Sequence, residues 1–418
     1  MNPSNMRFAI GVLIAAALPS PAAEATNAAF QDFFFAACSS PSGALATRCS
    51  ETDGGLGNIS GDSESSLNPS QSFGAGSSAR TAFTNRSIDA RDQGYELRTQ
   101  TGSTAAEGAG VALSRGRLSL VLNGRTSTEE QDRRVDLDSE RGYDLDSWAL
   151  QLGADYRLTE QLVLGGWVNW EDSSLDFVRE RPGTNFAPTG NAGTVDQETI
   201  GVAGFLAAAF NNGLFLDLAA GYNQSDLTTT RNALFQESNR VIATTAVRTR
   251  GSSDGDEIWA TSTLGYTLNR NRWTIEPYLG LSLSRMDFDG YDERDLTGSG
   301  LALRVASQTV DSRIGIAGLR IAAAVSFAGG VLVPQLRLEH NSEFEDDPTR
   351  SRVRFLEDAG NTTFELDGDE RDDSTTLLGI GTSLVLPGGL SAFLEYQQLT
   401  GGQDLDRWIV SGGLRREL

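Results

Sequence analysis

Apolar and polar residues alternate with a period of two over most of the chain beyond about residue 107. In the run 148–158, every even-numbered residue is apolar or aromatic, whereas the odd-numbered residues are small, polar or charged. The same alternation recurs at 214–222, 273–283 and 332–338. Because successive side chains of a strand point to opposite faces, each run predicts a β-strand with one apolar and one polar face.

Twelve such runs follow one another towards the C-terminus. Each is close to the ~9–11 residues with which a tilted strand crosses a bilayer, or longer. The runs are predicted at residues 107–123, 144–159, 162–177, 197–211, 214–230, 256–270, 273–288, 301–327, 331–344, 373–387, 390–400 and 405–418.

The connections between the runs differ in length in a regular way. Short turns follow the second, fourth, sixth, eighth and tenth runs, whereas most other connections are long, at 124–143, 178–196, 231–255 and 345–372. A soluble β-sandwich has no reason for this regularity, but a transmembrane barrel has tight periplasmic turns and long outer loops. The pattern therefore predicts an all-β fold, a twelve-stranded antiparallel transmembrane β-barrel over residues 106–418.

The polar faces of the predicted strands carry charged residues, which a soluble fold would have to bury at high cost. In a membrane barrel the apolar faces contact lipid and the polar faces line a lumen. The predicted lumen-facing residues are Asp155, Arg157, Asp217, Glu276, Arg320, Arg337, Glu339, Glu395 and Arg415. The apolar stretch 314–334 is interrupted by Arg320 and four glycines, so we interpret it as a two-stranded hairpin and not as a membrane helix.

Composition alone suggests a different class of protein. A hydrophobic fraction of 39% and a net charge of −22 are typical of a soluble, acidic secreted protein. The interpretation changes once the apolar residues are assigned to one face of each strand, because lipid can then surround that face. All 34 cationic residues are arginine, and the acidic balance argues against binding of nucleic acid. The segment 341–373 holds twelve acidic residues against four arginines. We interpret it as a solvated outer loop, the alternative being divalent cations that bridge it to anionic lipid A.

The N-terminal part of the chain differs from the barrel region. Residues 1–25 have the basic start, the apolar core of 11 residues and the Ala-Glu-Ala cleavage site of a secretory signal peptide. Cys38 and Cys49, the only cysteines, would enter an oxidising compartment and are expected to form a disulfide, with two free thiols as the alternative. Residues 26–105 form a short passenger and linker region, in which 28–37 could form a few helical turns.

Three stretches of the barrel region resemble the C-terminal translocator barrel of bacterial autotransporters, the β-domain of type V secretion. They are 146–157 with 162–165, then 276–281 with 288–291, and 334–340, which begins with Pro and ends with His. The chain departs from the family in two ways: Leu418 replaces the usual C-terminal aromatic residue, and only about 80 residues precede the barrel after signal cleavage. The departure at Leu418 puts in question how efficiently the assembly machinery reads this C-terminus.

The resemblance also implies a helix that lies inside the pore ahead of the first strand. The segment 79–100 is the candidate, since it contains no proline and carries four arginines. The four are Arg80, Arg86, Arg91 and Arg98. We expect some of them to contact lumen carboxylates such as Asp155, Glu276 or Glu395.

No set of residues in the sequence suggests catalysis. His340 is the only histidine, and the tripeptide 61–63, which matches the start of a GDSL esterase block, lies in a segment too short for that domain. We therefore expect no enzyme activity, no catalytic residue, no cofactor and no metal site. The six tryptophans are interpreted as interfacial anchors because they fall near predicted strand ends, at Trp148, Trp167, Trp170, Trp259, Trp273 and Trp408.

The first hypothesis is an outer-membrane autotransporter β-domain that translocates or displays its short N-terminal segment after signal-dependent export to the periplasm. The alternative is a passenger-less outer-membrane barrel that acts as a pore or as a structural or adhesive surface protein. The expected partners are outer-membrane lipid and lipopolysaccharide and, by family inference, the outer-membrane assembly machinery. The barrel itself is expected to be a monomer.

Overall fold

The computed structural model describes residues 28–52, 59–60, 117–131, 142–178, 193–237, 243–345, 350–367, 374–401 and 405–418. The predicted signal peptide (1–25) and the predicted pore helix (79–100), with Arg80, Arg86, Arg91 and Arg98, lie outside the described residues.

Twelve long strands form the main sheet, and each pairs antiparallel with the next along the chain. They are β1 (Leu118–Gln131), β2 (Tyr143–Arg157), β3 (Leu162–Phe177), β4 (Gly193–Ala209), β5 (Leu214–Glu237), β6 (Thr245–Tyr266), β7 (Trp273–Phe288), β8 (Gln308–Ala323), β9 (Gly330–Glu343), β10 (Ser374–Leu386), β11 (Leu390–Gly401) and β12 (Leu405–Glu417).

The sheet closes on itself because β12 also pairs antiparallel with β1, in a register that sets Leu122 opposite Leu414. The predicted twelve-stranded antiparallel β-barrel is therefore confirmed. Closure leaves no unpaired edge among these strands, which is the condition for a sheet to stand in hydrocarbon.

Several strand boundaries differ from the prediction. The first strand begins at Leu118 and not at residue 107, and it continues to Gln131 through a segment predicted to be a loop. β5 and β6 likewise extend into the predicted loop 231–255. The physical reason is that an apolar outer face is needed only where lipid surrounds the barrel, so these strands continue beyond the alternation used to recognise them. The predicted run 301–327 contains β8 and two short strands, Leu303–Val305 and Val325–Phe327.

All the short turns lie at one end of the barrel, which we call the turn end. The turn at 210–213 needs Gly213 at φ +88°, and the turn at 387–389 has Gly388 at φ +84°. The start of β1 and the C-terminus lie at the same end, where the Leu418 N–H donates to the Leu118 carbonyl at 2.9 Å. The long connections lie at the opposite end, which we call the loop end.

Two helices lie at the loop end, α1 (Ala28–Ala37) and α2 (Gly43–Glu51). A disulfide between Cys38 and Cys49 joins them into what we call the helical hairpin. Two connections fold into a small sheet made of Tyr291–Asp292, Leu303–Val305, Arg350–Phe355 and Phe364–Asp367, here called the loop sheet. Further short strands are Ile59–Ser60, which pairs with the end of β5, Leu268–Arg270, and Arg294–Asp295, which pairs with β6.

The outer surface of the barrel carries a band of exposed apolar side chains. On β2 the band runs from Trp148 to Tyr156, both 43% exposed, a distance of about 26 Å along the strand at ~3.3 Å per residue. This length fits the hydrophobic band of a tilted outer-membrane strand. Among the described residues, no helix has the length and apolar character needed to cross a membrane.

Candidate functional site: the barrel lumen and its loop end

The inner wall of the barrel carries ion pairs that connect neighbouring strands. Arg415 on β12 contacts Asp155 on β2 at 2.7 Å, with side chains only 6% and 1% exposed. Arg415 also donates to Ser119 on β1 at 2.9 Å, and Glu417 contacts both Arg415 at 3.6 Å and Arg157 at 3.2 Å. This cluster therefore bridges β12, β1 and β2, the three strands at which the barrel closes.

A second cluster joins β7, β8 and β9. Arg320 contacts Glu276 at 3.6 Å, and its guanidinium lies 5.5 Å from the centre of the Tyr278 ring. The Tyr278 hydroxyl donates to Glu339 at 2.5 Å, and Arg337 lies 4.0 Å from Glu339. Both arginines are thus held against carboxylates, and Arg320 also lies over an aromatic face, in a site screened from bulk water.

Arg337 links this cluster to β11, where it contacts Glu395 at 3.4 Å. Asp217 on β5 is also buried, with 6% of its surface exposed. All nine sequence-predicted residues lie on the inner wall: eight are buried, and Arg157 is half-buried. The structure brings eight of them together in these contacts.

Several further charged residues lie on the inner wall outside the predicted set. Arg125 pairs with Glu171 at 3.3 Å, and Glu129 receives a hydrogen bond from Tyr143 at 2.5 Å and contacts Arg407 at 3.8 Å. Arg125 and Glu129 fall in the predicted loop 124–143, whereas in the structure β1 extends to Gln131 and includes both. Extending the parity of 118–123 along the strand would have identified both residues.

The interpretation of all six tryptophans as interfacial anchors is wrong for two of them. Trp167 and Trp259 are 6% and 5% exposed, and their ring centres lie 6.1 Å apart inside the barrel. Gly221 faces Trp259 and makes room for it, since a Cβ there would lie 2.6 Å from the indole ring. The other four tryptophans are exposed on the outer surface, where Trp148 and Trp170 contact edge to face at 4.4 Å.

The helical hairpin docks at the loop end through two buried phenylalanines. Phe33 stacks on Phe355 at 4.5 Å and on Phe364 at 4.9 Å, both in the loop sheet. Phe34 has none of its surface exposed and lies 5.2 Å from Phe235 on β5. The hairpin therefore packs against both the wall and the connections folded over it.

Polar contacts hold the same hairpin in one orientation. Glu357 accepts a hydrogen bond from the Leu45 N–H at 2.8 Å, in the first turn of α2, where a carboxylate also complements the helix dipole. The Ser42 hydroxyl donates to the Glu357 carbonyl at 2.7 Å. At the other end of α2, Arg48 donates to Thr245 at the start of β6.

The connection between β7 and β8 is fixed by a buried ion pair. Arg231 on β5 makes a two-pronged contact with Glu293, at 2.6 and 3.0 Å, and also donates to the Leu301 carbonyl at 2.8 Å. Glu293 in turn accepts from the Leu303 N–H at 2.9 Å. One pair thus holds both sides of the connection against the barrel wall.

A half-buried carboxylate, that of Asp295, orders the turn in this connection. Burial alone would raise the pKa of Asp295, but hydrogen bonds from the Gly300 and Thr297 N–H groups and from the Ser299 and Thr297 hydroxyls outweigh it, and its pKa is lowered. A hydrogen bond from Arg304 likewise lowers the pKa of Asp292.

The geometry offers no catalytic arrangement around His340. Its side chain is exposed on the outer face of β9, away from the inner-wall carboxylates. In the part of the chain that the structure describes, no group of three or more His, Cys, Asp or Glu residues has a metal-binding arrangement. The tripeptide 61–63 lies outside the described residues.

Comparison with known proteins points to one family. Residues 122–397 match the family model described as the autotransporter beta-domain. The fold is similar to the translocator domain of autotransporter NalP from Neisseria meningitidis, with a TM-score of 0.53 and 12% identity, covering 80% of this chain and 98% of that one. At this identity the likeness concerns the fold alone.

Two further solved structures have lower scores. The beta domain of the Bordetella autotransporter BrkA matches with a TM-score of 0.47 and 19% identity over 72% of this chain and 100% of that one. The transport unit of the autotransporter AIDA-I from Escherichia coli matches with a TM-score of 0.41 and 14% identity over 77% and 99%. A comparison with curated protein sequences found no match.

Proposed function

Because the chain belongs to the autotransporter beta-domain family and is a β-barrel of the Gram-negative outer membrane, we propose that it carries its own N-terminal segment through the barrel and holds it at the outer surface. Signal-dependent export through residues 1–25 would deliver it to the periplasm. Transport of this kind needs a polar conduit and no nucleophile, so we propose no enzyme activity.

The observation that supports this proposal is that Ser60 and Leu118, which flank the segment 61–117 in the sequence, lie at opposite ends of the barrel. Ser60 pairs with Gln236 at the loop end of β5, whereas Leu118 faces Tyr156 at the turn end. A connection over the outside of the closed barrel would place backbone N–H and C=O groups in hydrocarbon, at several kcal/mol per unpaired group. The polar inner wall is the path that avoids this cost.

The family and the lipid-facing band also suggest the partners. We propose that outer-membrane lipid and lipopolysaccharide surround the band, that the general assembly machinery inserts the barrel, and that the barrel works as a monomer. Closure of the barrel by one chain supports the last point, because no strand of a second copy is needed to complete the sheet.

The absence of lysine from the sequence allows a direct test of sidedness. Ser39, an exposed residue between α1 and α2, is replaced to give Ser39→Lys, the only lysine in the chain. Intact cells are treated with an amine reagent that does not cross membranes, and mass spectrometry identifies the labelled residue. We expect Ser39→Lys to be labelled on intact cells.

The matched control is Gln161→Lys, since Gln161 is an exposed residue in a short turn at the opposite end. It should be labelled only after the outer membrane is opened, and the wild-type protein measures labelling of the α-amino group. Protection of Ser39→Lys on intact cells, with labelling after opening, would place the hairpin in the periplasm and overturn the proposal.

A further inference from the structure

We infer that the helical hairpin stays docked on the barrel as a plug that closes its outer mouth, and is not a segment displayed freely in solution. The inference rests on the proposed function only in taking the loop end as the outer one. It concerns the contacts of residues 28–52 with the wall and the loop sheet, which the structure describes.

The first observation is a change in the inner wall towards the loop end. There, β2 to β7 each direct at least one buried apolar side chain inwards, among them Leu145, Leu175, Val195, Phe235, Val247 and Phe288. These strands are consecutive, so the side chains form an arc of the wall, here called the apolar arc, which an open, water-filled mouth would expose at a cost in free energy proportional to its area. The apolar arc instead forms one core with the hairpin and the loop sheet.

The second observation is that the hairpin supplies the central part of this core. Phe33, Phe34, Ala37 and Leu45 are 4% exposed or less and contact the core from both helices. Cys38 and Cys49 pack against the same core, so the disulfide fixes the two helices relative to each other at the docking surface. Undocking would expose apolar surface of the hairpin and of the apolar arc together.

The third observation is that the polar contacts of the hairpin are spread around the mouth. Glu357 and Asp358 belong to the connection between β9 and β10, Asp358 through an isolated β-bridge with Pro41. Thr245 begins β6 on the wall and accepts a hydrogen bond from Arg48. A freely displayed module would be attached at one side, whereas this hairpin is held to two separate parts of the rim.

Conductance of the full chain in planar bilayers tests the inference. Phe34→Asp places a charge in the core, and the matched control Ala36→Asp places the same charge on an exposed position two residues away. We expect the wild-type protein and Ala36→Asp to remain closed. We expect the opening frequency of Phe34→Asp to be at least about tenfold that of the wild-type protein, because a buried unpaired carboxylate is costly and favours the undocked hairpin.

Folding and release of the hairpin are measured on the same samples. Heat-modifiable migration on gels reports an intact barrel, and trypsin cleavage after Arg48 reports undocking. Phe33→Ala provides a milder second variant, for which an intermediate opening frequency is expected. The inference is wrong if a folded Phe34→Asp barrel with a cleavable Arg48 stays as closed as Ala36→Asp, or if the wild-type protein conducts steadily. Neither result depends on which side of the membrane the hairpin faces. Failure of this inference is therefore distinguishable from failure of the proposed function, which the lysine labelling tests.

Discussion

Replacing Arg415 by glutamine should weaken the barrel at the seam where it closes. Arg415 contacts Asp155 at 2.7 Å, Glu417 at 3.6 Å and Ser119 at 2.9 Å, so a single guanidinium joins β12, β1 and β2. With Arg415→Gln, the Asp155 carboxylate, which is only 1% exposed, loses its buried cationic partner. Breaking a buried pair by removing one partner costs about 3–5 kcal/mol.

The assay is urea unfolding of the purified barrel in phospholipid vesicles, followed by the fluorescence of its six tryptophans. We expect Arg415→Gln to unfold at clearly lower urea, and the double variant Asp155→Asn/Arg415→Gln to recover part of the loss, since it removes the buried charge that the single variant leaves behind. Recovery in the double variant separates lost pairing from general damage to the seam.

An exposed ion pair provides the control. Arg304 and Asp292 make a close contact in the loop sheet, but their side chains are 49% and 45% exposed. Arg304→Gln should leave the unfolding midpoint unchanged, because solvent screens exposed pairs. If Arg415→Gln unfolds at the same urea concentration as Arg304→Gln, the inner-wall pairs do not stabilise the closed barrel and the reasoning is refuted.

Three further predictions concern the loop end and the packing of the wall. Replacing Cys38 and Cys49 by serine should destabilise the hairpin by about 2–3 kcal/mol for so short a loop, measured as faster proteolysis of residues 28–52; unchanged proteolysis would contradict it. The lowered pKa of Asp295 means that its stabilisation is full above the ordinary carboxyl pKa and is lost as the pH falls through the lowered value, so the protection factors of the amide hydrogens in this turn, which remove the pH dependence of intrinsic exchange, should fall in acid and stay constant between pH 6 and 8. Gly318→Ala would bring a Cβ within 2.2 Å of the Tyr278 ring and should cost about 1–3 kcal/mol by overpacking, and an unfolding midpoint equal to that of wild type would show that the ring has room to move.

The strand count could be predicted from sequence because lipid imposes a strict rule on the outer face. Between Trp148 and Leu158, every outward position is apolar or aromatic, so parity alone separates the outer surface from the lumen. The inner wall follows no such rule. Asp155 and Trp167 both face inwards, since a lumen accepts a charged pair or an aromatic cluster wherever neighbouring side chains complement it.

The ion pairs themselves could not be predicted, because they depend on register. Arg415 meets Asp155 across β1, although the two residues are separated by 260 positions in the chain. Parity shows that both face the lumen, but it does not say how far each strand is shifted against the next. That shift is fixed by the closure of the whole sheet, a property of all twelve strands together.

The position of the docked hairpin is reflected in the sequence, because the apolar residues of a strand switch from inward positions at the loop end to outward positions in the lipid band. On β2, Tyr143 and Leu145 are buried and face inwards while Asp144 and Asp146 are exposed, and from Trp148 onwards the apolar side chains are the exposed ones. The strand does not turn over between these residues, but its surroundings change. At the loop end it has water outside and an apolar core inside, whereas in the lipid band it has lipid outside and a polar lumen inside.

The same inversion occurs on β6, where Val247 is buried beside exposed Arg248, whereas Ile258 is exposed beside buried Glu257. A barrel whose outer mouth was open to water would have no reason for an inward apolar phase above the lipid band, because both faces would be wet there. The inversion therefore indicates from the strands alone that something apolar occupies the mouth. In this protein the hairpin carrying Phe33 and Phe34 supplies that surface.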